Sequence, residues 1–201
     1  SQRVPSMAKV KICGLRTSEA MAAALDAGAD YVGLVLFPPS PRNVDLATAG
    51  ALADMARGRA CIVALTVDAD DALLARIAAE VRPDMLQLHG LETPARVAAI
   101  RRLTALPIIK ALRVATRADA EAALAWRETC DLVLFDAKPP KGADRPGGHG
   151  QTFDWGLLDG IAARLPFMLS GGLTPGNVAA AICATGATAV DVSSGVETAP
   201  G

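Results

Sequence analysis

Apolar and polar positions along the chain alternate between two periods, and that alternation lays out the fold. Short apolar runs bounded by Gly, Pro or polar residues stand at 10–14, 31–36, 61–67, 85–89, 108–112, 132–136, 167–170 and 189–192, and each reads as a buried strand. Between them lie alanine- and leucine-rich stretches of helical spacing at 18–27, 46–57, 70–81, 94–105, 117–126, 154–163 and 175–184. Thr93-Pro94 and Thr174-Pro175 carry a helix-start signal, a hydroxyl cap followed by proline at the first helical position. Eight strands alternating with seven helices, at spacings of roughly 20 to 30 residues, form the order of an α/β (β/α)8 TIM barrel. Residues 1–8 read as a polar lead-in and 9–201 as the single barrel domain.

Three interruptions in this pattern point toward a ligand. Phe37-Pro38-Pro39-Ser40-Pro41-Arg42 cannot be helical, because its prolines remove donors and fix φ, so a stiff loop carries Arg42. Residues 137–151, rich in Pro, Gly and Lys, are longer than a structural connection needs and read as a binding loop. Strands seven and eight end abruptly in Ser170-Gly171-Gly172 and Ser193-Ser194-Gly195, which expose backbone N–H groups to a close ligand. A helix from Pro175 would aim its positive end at Gly171 and Gly172, so the pair of turns reads as a phosphate cradle. A doubly wound open sheet usually has its glycine-rich phosphate turn after an early strand, so the late position here favours the barrel. The eighth helix of a complete barrel has no counterpart before Pro200-Gly201, so the expectation is a chain whose final helix is missing. Such a barrel would expose an apolar groove between its first and seventh helices.

Composition narrows the partners. With 201 residues, 51% of them hydrophobic, the chain is long enough for one sizeable core and too short for two ordinary α/β domains. A net charge of −1 without basic runs argues against a nucleic-acid polymer. No apolar run is long enough to span a bilayer, and the first residues lack the apolar core of a signal peptide, so the expectation is a soluble cytoplasmic protein. Cys13, Cys61, Cys130 and Cys183 lie far apart, without the spacing of a zinc site or disulfide framework.

Barrel enzymes carry their chemistry at the C-terminal ends of the strands, which here reduces the candidates to Cys13, Arg42, Gln87, His89, Lys110, Asp136 and Asp191. Cys13 is either a small buried hydrophobe or a nucleophile or base set at a strand end before Gly14. Asp136 is either paired with Lys110 or Lys138 or kept for proton transfer, since an unpaired buried carboxylate is costly. His89 either caps its own turn or takes part in catalysis. Asp191 either orients neighbouring groups or meets substrate, and Arg42 is either a solvated charge or a placed anion contact.

Taken together, the words Lys9-Val10-Lys11-Ile12-Cys13-Gly14, Ser40-Pro41-Arg42, Gln87-Leu88-His89-Gly90, Lys110-Ala111-Leu112, Phe135-Asp136, Gly147-Gly148 with Phe153-Asp154-Trp155, Leu169 to Leu173 and Asp191 to Glu197 resemble the phosphoribosylanthranilate isomerase family. They fall in order over nearly the whole chain. The resemblance implies an Amadori isomerase of tryptophan biosynthesis, with Cys13 as general base, Asp136 as general acid and Arg42 on the anthranilate carboxylate. It also implies a phosphate site at Gly171, Gly172, Ser193, Ser194 and Gly195, with Gln87, His89 and Asp191 lining the pocket. A phosphosugar substrate, no metal or redox cofactor, no membrane, and a monomer or weak homodimer complete the expectation. The family pattern is expected to carry a small hydroxyl residue where this chain has His149.

The implied chemistry suits those residue types. Ring opening needs a proton on the ribose ring oxygen, which a protonated Asp136 supplies if its pKa lies above the ordinary value of about 3.9. Removal of the C2′ proton needs a Cys13 thiolate, favoured by positive charge from Lys11, Arg42 or the iminium itself. Rival readings are another phosphate-binding biosynthetic barrel, a silent phosphosugar-binding barrel, and a flavin-binding barrel. The histidine-pathway isomerase uses aspartates for both proton transfers, so a cysteine ending strand one speaks against it.

Overall fold

The structure, a computed structural model, describes residues 8–137 and 154–193. Eight strands, β1 (Lys9–Cys13), β2 (Tyr31–Val35), β3 (Cys61–Thr66), β4 (Met85–Leu88), β5 (Ile108–Val114), β6 (Leu132–Ala137), β7 (Phe167–Ser170) and β8 (Ala189–Val192), pair in parallel in sequence order. Pairing of β1 with β8, Lys11 beside Asp191, closes the barrel. Six α-helices are described: α1 (Ser18–Asp26), α2 (Leu46–Ala56), α3 (Asp71–Arg76), α4 (Pro94–Thr104), α5 (Arg117–Ala122) and α6 (Val178–Thr185). Side-chain oxygens of Thr17, Asp45, Asp70, Thr93 and Thr116 take the orphan N–H groups at the starts of the first five.

Strand alternation divides the apolar residues into two cores. Leu34, Ile62, Leu86, Leu88, Phe135 and Phe167 point outward under the helices, where the two phenylalanine rings meet edge to face with centroids 5.0 Å apart. Val63, Ile109, Ala111, Leu134, Met168 and Ala189 fill the barrel interior. On the inward face of β4, Met85 at the base is followed by Gln87 and then His89, so the interior turns from apolar to polar toward the mouth.

Where the structure departs from the sequence expectation, local backbone chemistry explains it. Residues 154–163 are not an α-helix: only Trp155–Leu158 form one tight 3₁₀ turn, with the Asp154 carboxylate taking the Gly156 N–H and Gly160 at φ +75° turning the chain away. The 70–81 stretch begins as α3 and widens into a π turn at Ile77–Val81, ended by Arg82 in the left-handed region. Residues 123–126 tighten into a 3₁₀ turn after α5. The last described helix starts at Val178 rather than Pro175, because Asn177 intervenes: its Oδ1 accepts the Thr174 N–H at 2.8 Å and its Nδ2 donates to the Gly172 carbonyl at 3.0 Å. No side chain caps that helix, and the Thr174 N–H is spent on Asn177, so the expected helix start at Pro175 above Gly171 and Gly172 is replaced by a turn. The expectations for Lys138, His149, Ser194, Gly195, most of the 137–151 loop and the missing eighth helix lie outside the described residues.

Lys110 also corrects an expectation. It sits on the outer face of β5, 2% exposed, and its ammonium donates to Glu92 at 2.8 Å and to the Gly90 carbonyl at 2.9 Å, 5.6 Å from the Trp126 ring centroid. It is therefore the partner of Glu92, not of Asp136. Glu92 also accepts the N–H groups of Gly90 and Asp68, tying the loop after β4 to the loop after β3. Burial pushes the Glu92 carboxyl up, but Lys110 and the backbone donors outweigh it and hold it below the usual carboxylate range. A depressed folded-state pKa contributes stability that is present above the unfolded value and lost as pH falls through the folded one. Glu92→Ala should lower unfolding free energy by about 3–5 kcal/mol. Urea titrations across acidic pH should also show a flatter pH dependence in the variant than in the parent chain.

Candidate active site

Cys13 ends β1, 8% exposed, at the level where the barrel opens. Its Sγ lies against the backbone of Gly33 on β2, where a Cβ would come within 2.6 Å of the sulfur. A glycine within an apolar strand is a signal for such close approach, and Gly33 was not singled out in the sequence. At φ +86° Gly14 turns the chain, and a Cβ there would collide with Cδ of Arg42, whose aliphatic stem lies across the turn. The proline loop thus lays the Arg42 stem over Gly14, the residue after Cys13, helped by Ser40, whose Oγ accepts the Arg42 N–H at 3.1 Å.

Two residues before Cys13, Lys11 is fully buried inside the barrel. Its ammonium donates to Oε1 of Gln87 at 2.7 Å and to Oδ1 of Asp191 at 3.2 Å. Gln87 Nε2 meets His89 Nδ1 at 2.9 Å, and His89 Nε2 meets Asp136 Oδ2 at 3.4 Å, the long end of a hydrogen bond. A continuous polar chain thus crosses the mouth from β8 and β1 through β4 to β6. It joins Gln87, His89, Asp136 and Asp191, four of the residues selected from the sequence, and Cys13 stands two residues beyond Lys11 on the same inward face. Lys11, named there only as a source of charge, is its centre.

Burial dominates the electrostatics of this chain. Desolvation pushes the Cys13 thiol up, the Lys11 charge pulls it down and Asp191 pushes it up again, leaving it above the ordinary thiol value. The expected lowering by Lys11 is present but outweighed. Lys11 itself loses solvation, yet Asp191 and Cys13 more than offset that loss and hold it above the usual ammonium value.

On the β7 side, Gly171 stands at φ +104° with the Ala137 carbonyl where a Cβ would be, and Gly172 at φ +65° faces open space. Ser193 follows β8 half-buried; Ser194 and Gly195 lie outside the described residues. On the β4 to β6 side a cavity of about 630 Å³ opens beside His89 and Asp136, bordered by Asp68, Leu112, Arg113 and Trp126. Arg113 was missed because it follows Leu112, the last residue of the apolar run that marked β5. Among the described residues no three His, Cys, Asp or Glu side chains are grouped to hold a metal ion.

A thiol and a carboxyl at the mouth ends of two barrel strands, with an arginine over the turn that follows the thiol, are equipment for moving protons on an anionic substrate. The family model described as N-(5′-phosphoribosyl)anthranilate (PRA) isomerase matches residues 10–201. The chain belongs to that family. Among curated members it is similar to the N-(5′-phosphoribosyl)anthranilate isomerase of Rhodopseudomonas palustris strain BisA53, 62% identical over 192 residues, covering 96% of this chain and 88% of the relative. Among solved structures it is similar to phosphoribosyl anthranilate isomerase from Thermotoga maritima, with 36% identity, TM-score 0.87, and 97% and 92% of the two chains covered. A further solved isomerase, described as a complex with reduced 1-(o-carboxyphenylamino)-1-deoxyribulose 5-phosphate, shares 34% identity at TM-score 0.84, covering 97% of this chain and 91% of that one.

Two outcomes are expected from this geometry. Because the Cys13 thiol is pushed up, the thiolate fraction grows with alkalinity, so kcat/KM for isomerase substrate should rise with pH across about 7 to 9. Gly33→Ala should displace the sulfur and lower kcat by at least about 10-fold while leaving the melting transition cooperative, checked by steady-state kinetics and calorimetry.

Proposed function

We propose that this chain converts N-(5-phospho-D-ribosyl)anthranilate to 1-(2-carboxyphenylamino)-1-deoxy-D-ribulose 5-phosphate, with Cys13 as the general base and Asp136 as the general acid. The observation that carries the assignment is their placement: Cys13 ends β1, Asp136 lies near the end of β6, and both belong to one mouth linked by the Lys11–Gln87–His89 chain. Asp136 donates a proton to the ribose ring oxygen as the C1′–O bond breaks and the anilino nitrogen pushes its pair into an iminium. The Cys13 thiolate then removes the C2′ proton, and the C–H electrons form the C1′=C2′ enolamine. Loss of the enol proton with protonation at C1′ yields the ketone. Cys13 ends the cycle protonated and Asp136 ionised, and solvent exchange restores both.

Raised by burial, the Cys13 thiol makes a poor resting thiolate, and the iminium is the cation that changes this once formed. Arg42, stacked over Gly14, is positioned for the anthranilate carboxylate. The phosphate is assigned to the turns at Gly171, Gly172, Ser193, Ser194 and Gly195, the last two lying outside the described residues. Gln87 and Asp191 are the buried members of the polar chain, so they support the pocket through Lys11, while His89 reaches the mouth. Residues 9–201 act as one barrel unit in this reading, working in the cytoplasm as a monomer or weak homodimer. The exposed large hydrophobics among the described residues, Met55, Leu91 and Leu103, sit on three separate elements, which favours weak self-association.

The test is loss of anthranilate fluorescence when freshly made phosphoribosylanthranilate meets the protein. The parent chain should turn over, and Cys13→Ala and Asp136→Asn should each lose at least about 100-fold in kcat while still binding product. Near-parental turnover in either variant would remove that residue from its role.

A further inference from the structure

The donor and acceptor inventory of the buried chain assigns more than a set of contacts. An ammonium has three donors and no acceptor, so Lys11 requires oxygen from every partner. Gln87 therefore presents Oε1 to Lys11, at 2.7 Å, and this orients the rest of its amide: Nε2, a pure donor, faces Nδ1 of His89 at 2.9 Å. Nδ1 must then accept, which places the imidazole proton on Nε2. Nε2 lies 3.4 Å from Oδ2 of Asp136. Resting on the acid–base assignment above, we propose that Lys11 and Gln87 are positioning residues that lock His89 as its Nε2–H tautomer, so that His89 donates to Oδ2 of the Asp136 carboxyl that delivers the proton.

Each link of this lock is restrained by burial. Lys11 and Gln87 are both 0% exposed, so water cannot replace a lost partner or let the amide flip without cost. A flipped amide would set NH2 against NH3⁺ on one side and a carbonyl against an unprotonated nitrogen on the other. Asp191, the second acceptor for Lys11, keeps the ammonium from drifting toward His89. The outcome for Asp136 is directional: after it gives up its proton, the resulting carboxylate already has a donor on Oδ2. A hydrogen bond that is long without substrate can tighten as that negative charge develops. Had His89 carried its proton on Nδ1, an acceptor would face Asp136 and the charge would meet a lone pair.

The experiment has two arms. In ¹⁵N-labelled parent protein at neutral pH, the ring nitrogens of His89, assigned by their loss in His89→Asn, should show a protonated Nε2 and an unprotonated Nδ1. Gln87→Glu keeps the shape but offers only acceptors, to Lys11 and to Nδ1, so it should move the proton to Nδ1. It should also lower kcat about 10- to 100-fold with KM changed far less, the size seen when a supporting partner of a functional histidine is lost. Gln87→Met, which removes the lock without imposing the other tautomer, should fall between the two in kcat. Proton on Nδ1 in the parent, no tautomer change in Gln87→Glu, or a changed tautomer with parental kcat would each overturn the proposal. The resonance arm reads the tautomer independently of turnover, so an inactive parent chain would count against the isomerase assignment and not against the lock.

Discussion

The buried ammonium of Lys11 is the constraint on which the mouth of this barrel depends. Moving a charge of that size out of water costs several kcal/mol even after relaxation, and only well-placed acceptors offset it. Those acceptors come from two other strands, Gln87 on β4 and Asp191 on β8, so the electrostatic requirement of one side chain ties β1 to its neighbour and across the barrel. The β1–β8 register that closes the sheet places Lys11 beside Asp191. Closure and charge compensation are therefore one geometric condition. Cys13, two residues further along the same face, is carried to the mouth by it.

The same constraint creates a conflict at the thiol. A base works best as a thiolate, and the positive charge two residues away favours that form, but the burial that gives Lys11 its strength also disfavours charge on sulfur. Asp191, needed by Lys11, adds a second unfavourable contribution. Around the thiol the charges of Lys11 and Asp191 pull in opposite directions, and the protein adds shape: the missing Cβ of Gly33 and the arginine stem over Gly14. In the proposed mechanism, a substrate that becomes cationic during the reaction provides what the resting site withholds, which concentrates the stabilisation in the reacting state.

Much of this was legible in the sequence, because barrel strands are short apolar runs that end where polar residues begin, and eight such runs were visible. Cys13, Gln87, His89, Asp136 and Asp191 follow from strand ends alone, and the structure joins the last four into one polar chain through Lys11, two residues before Cys13. What was not legible depends on side chains reaching across sequence. Residues 154–163 have a helical apolar rhythm, but Gly156 and Gly160 with the Asp154 cap make a tight turn easier. Thr174-Pro175 looks like a helix start until Asn177 takes the Thr174 N–H. Neither competitor is visible in a periodicity, which counts apolar positions and not hydrogen bonds.

Lys11 and Lys110 show why burial of charge by itself does not mark a functional site. Both sit within apolar strands, both are almost inaccessible to water, and each is compensated by a carboxylate, Asp191 for one and Glu92 for the other. Their difference is strand parity. Lys11 shares the inward face with Cys13, so its partners lie inside the barrel and its field reaches the thiol. Lys110 stands between the inward-facing Ile109 and Ala111, so it points out, bonds the loop after β4 and lies over Trp126. A one-residue change of register in β5 would turn Lys110 inward, placing an ammonium among Val63, Leu134 and Met168 and leaving Glu92 without it. Two costly buried cations thus act as opposite checks on the same barrel: one is stable only inside, the other only outside, and a single register satisfies both.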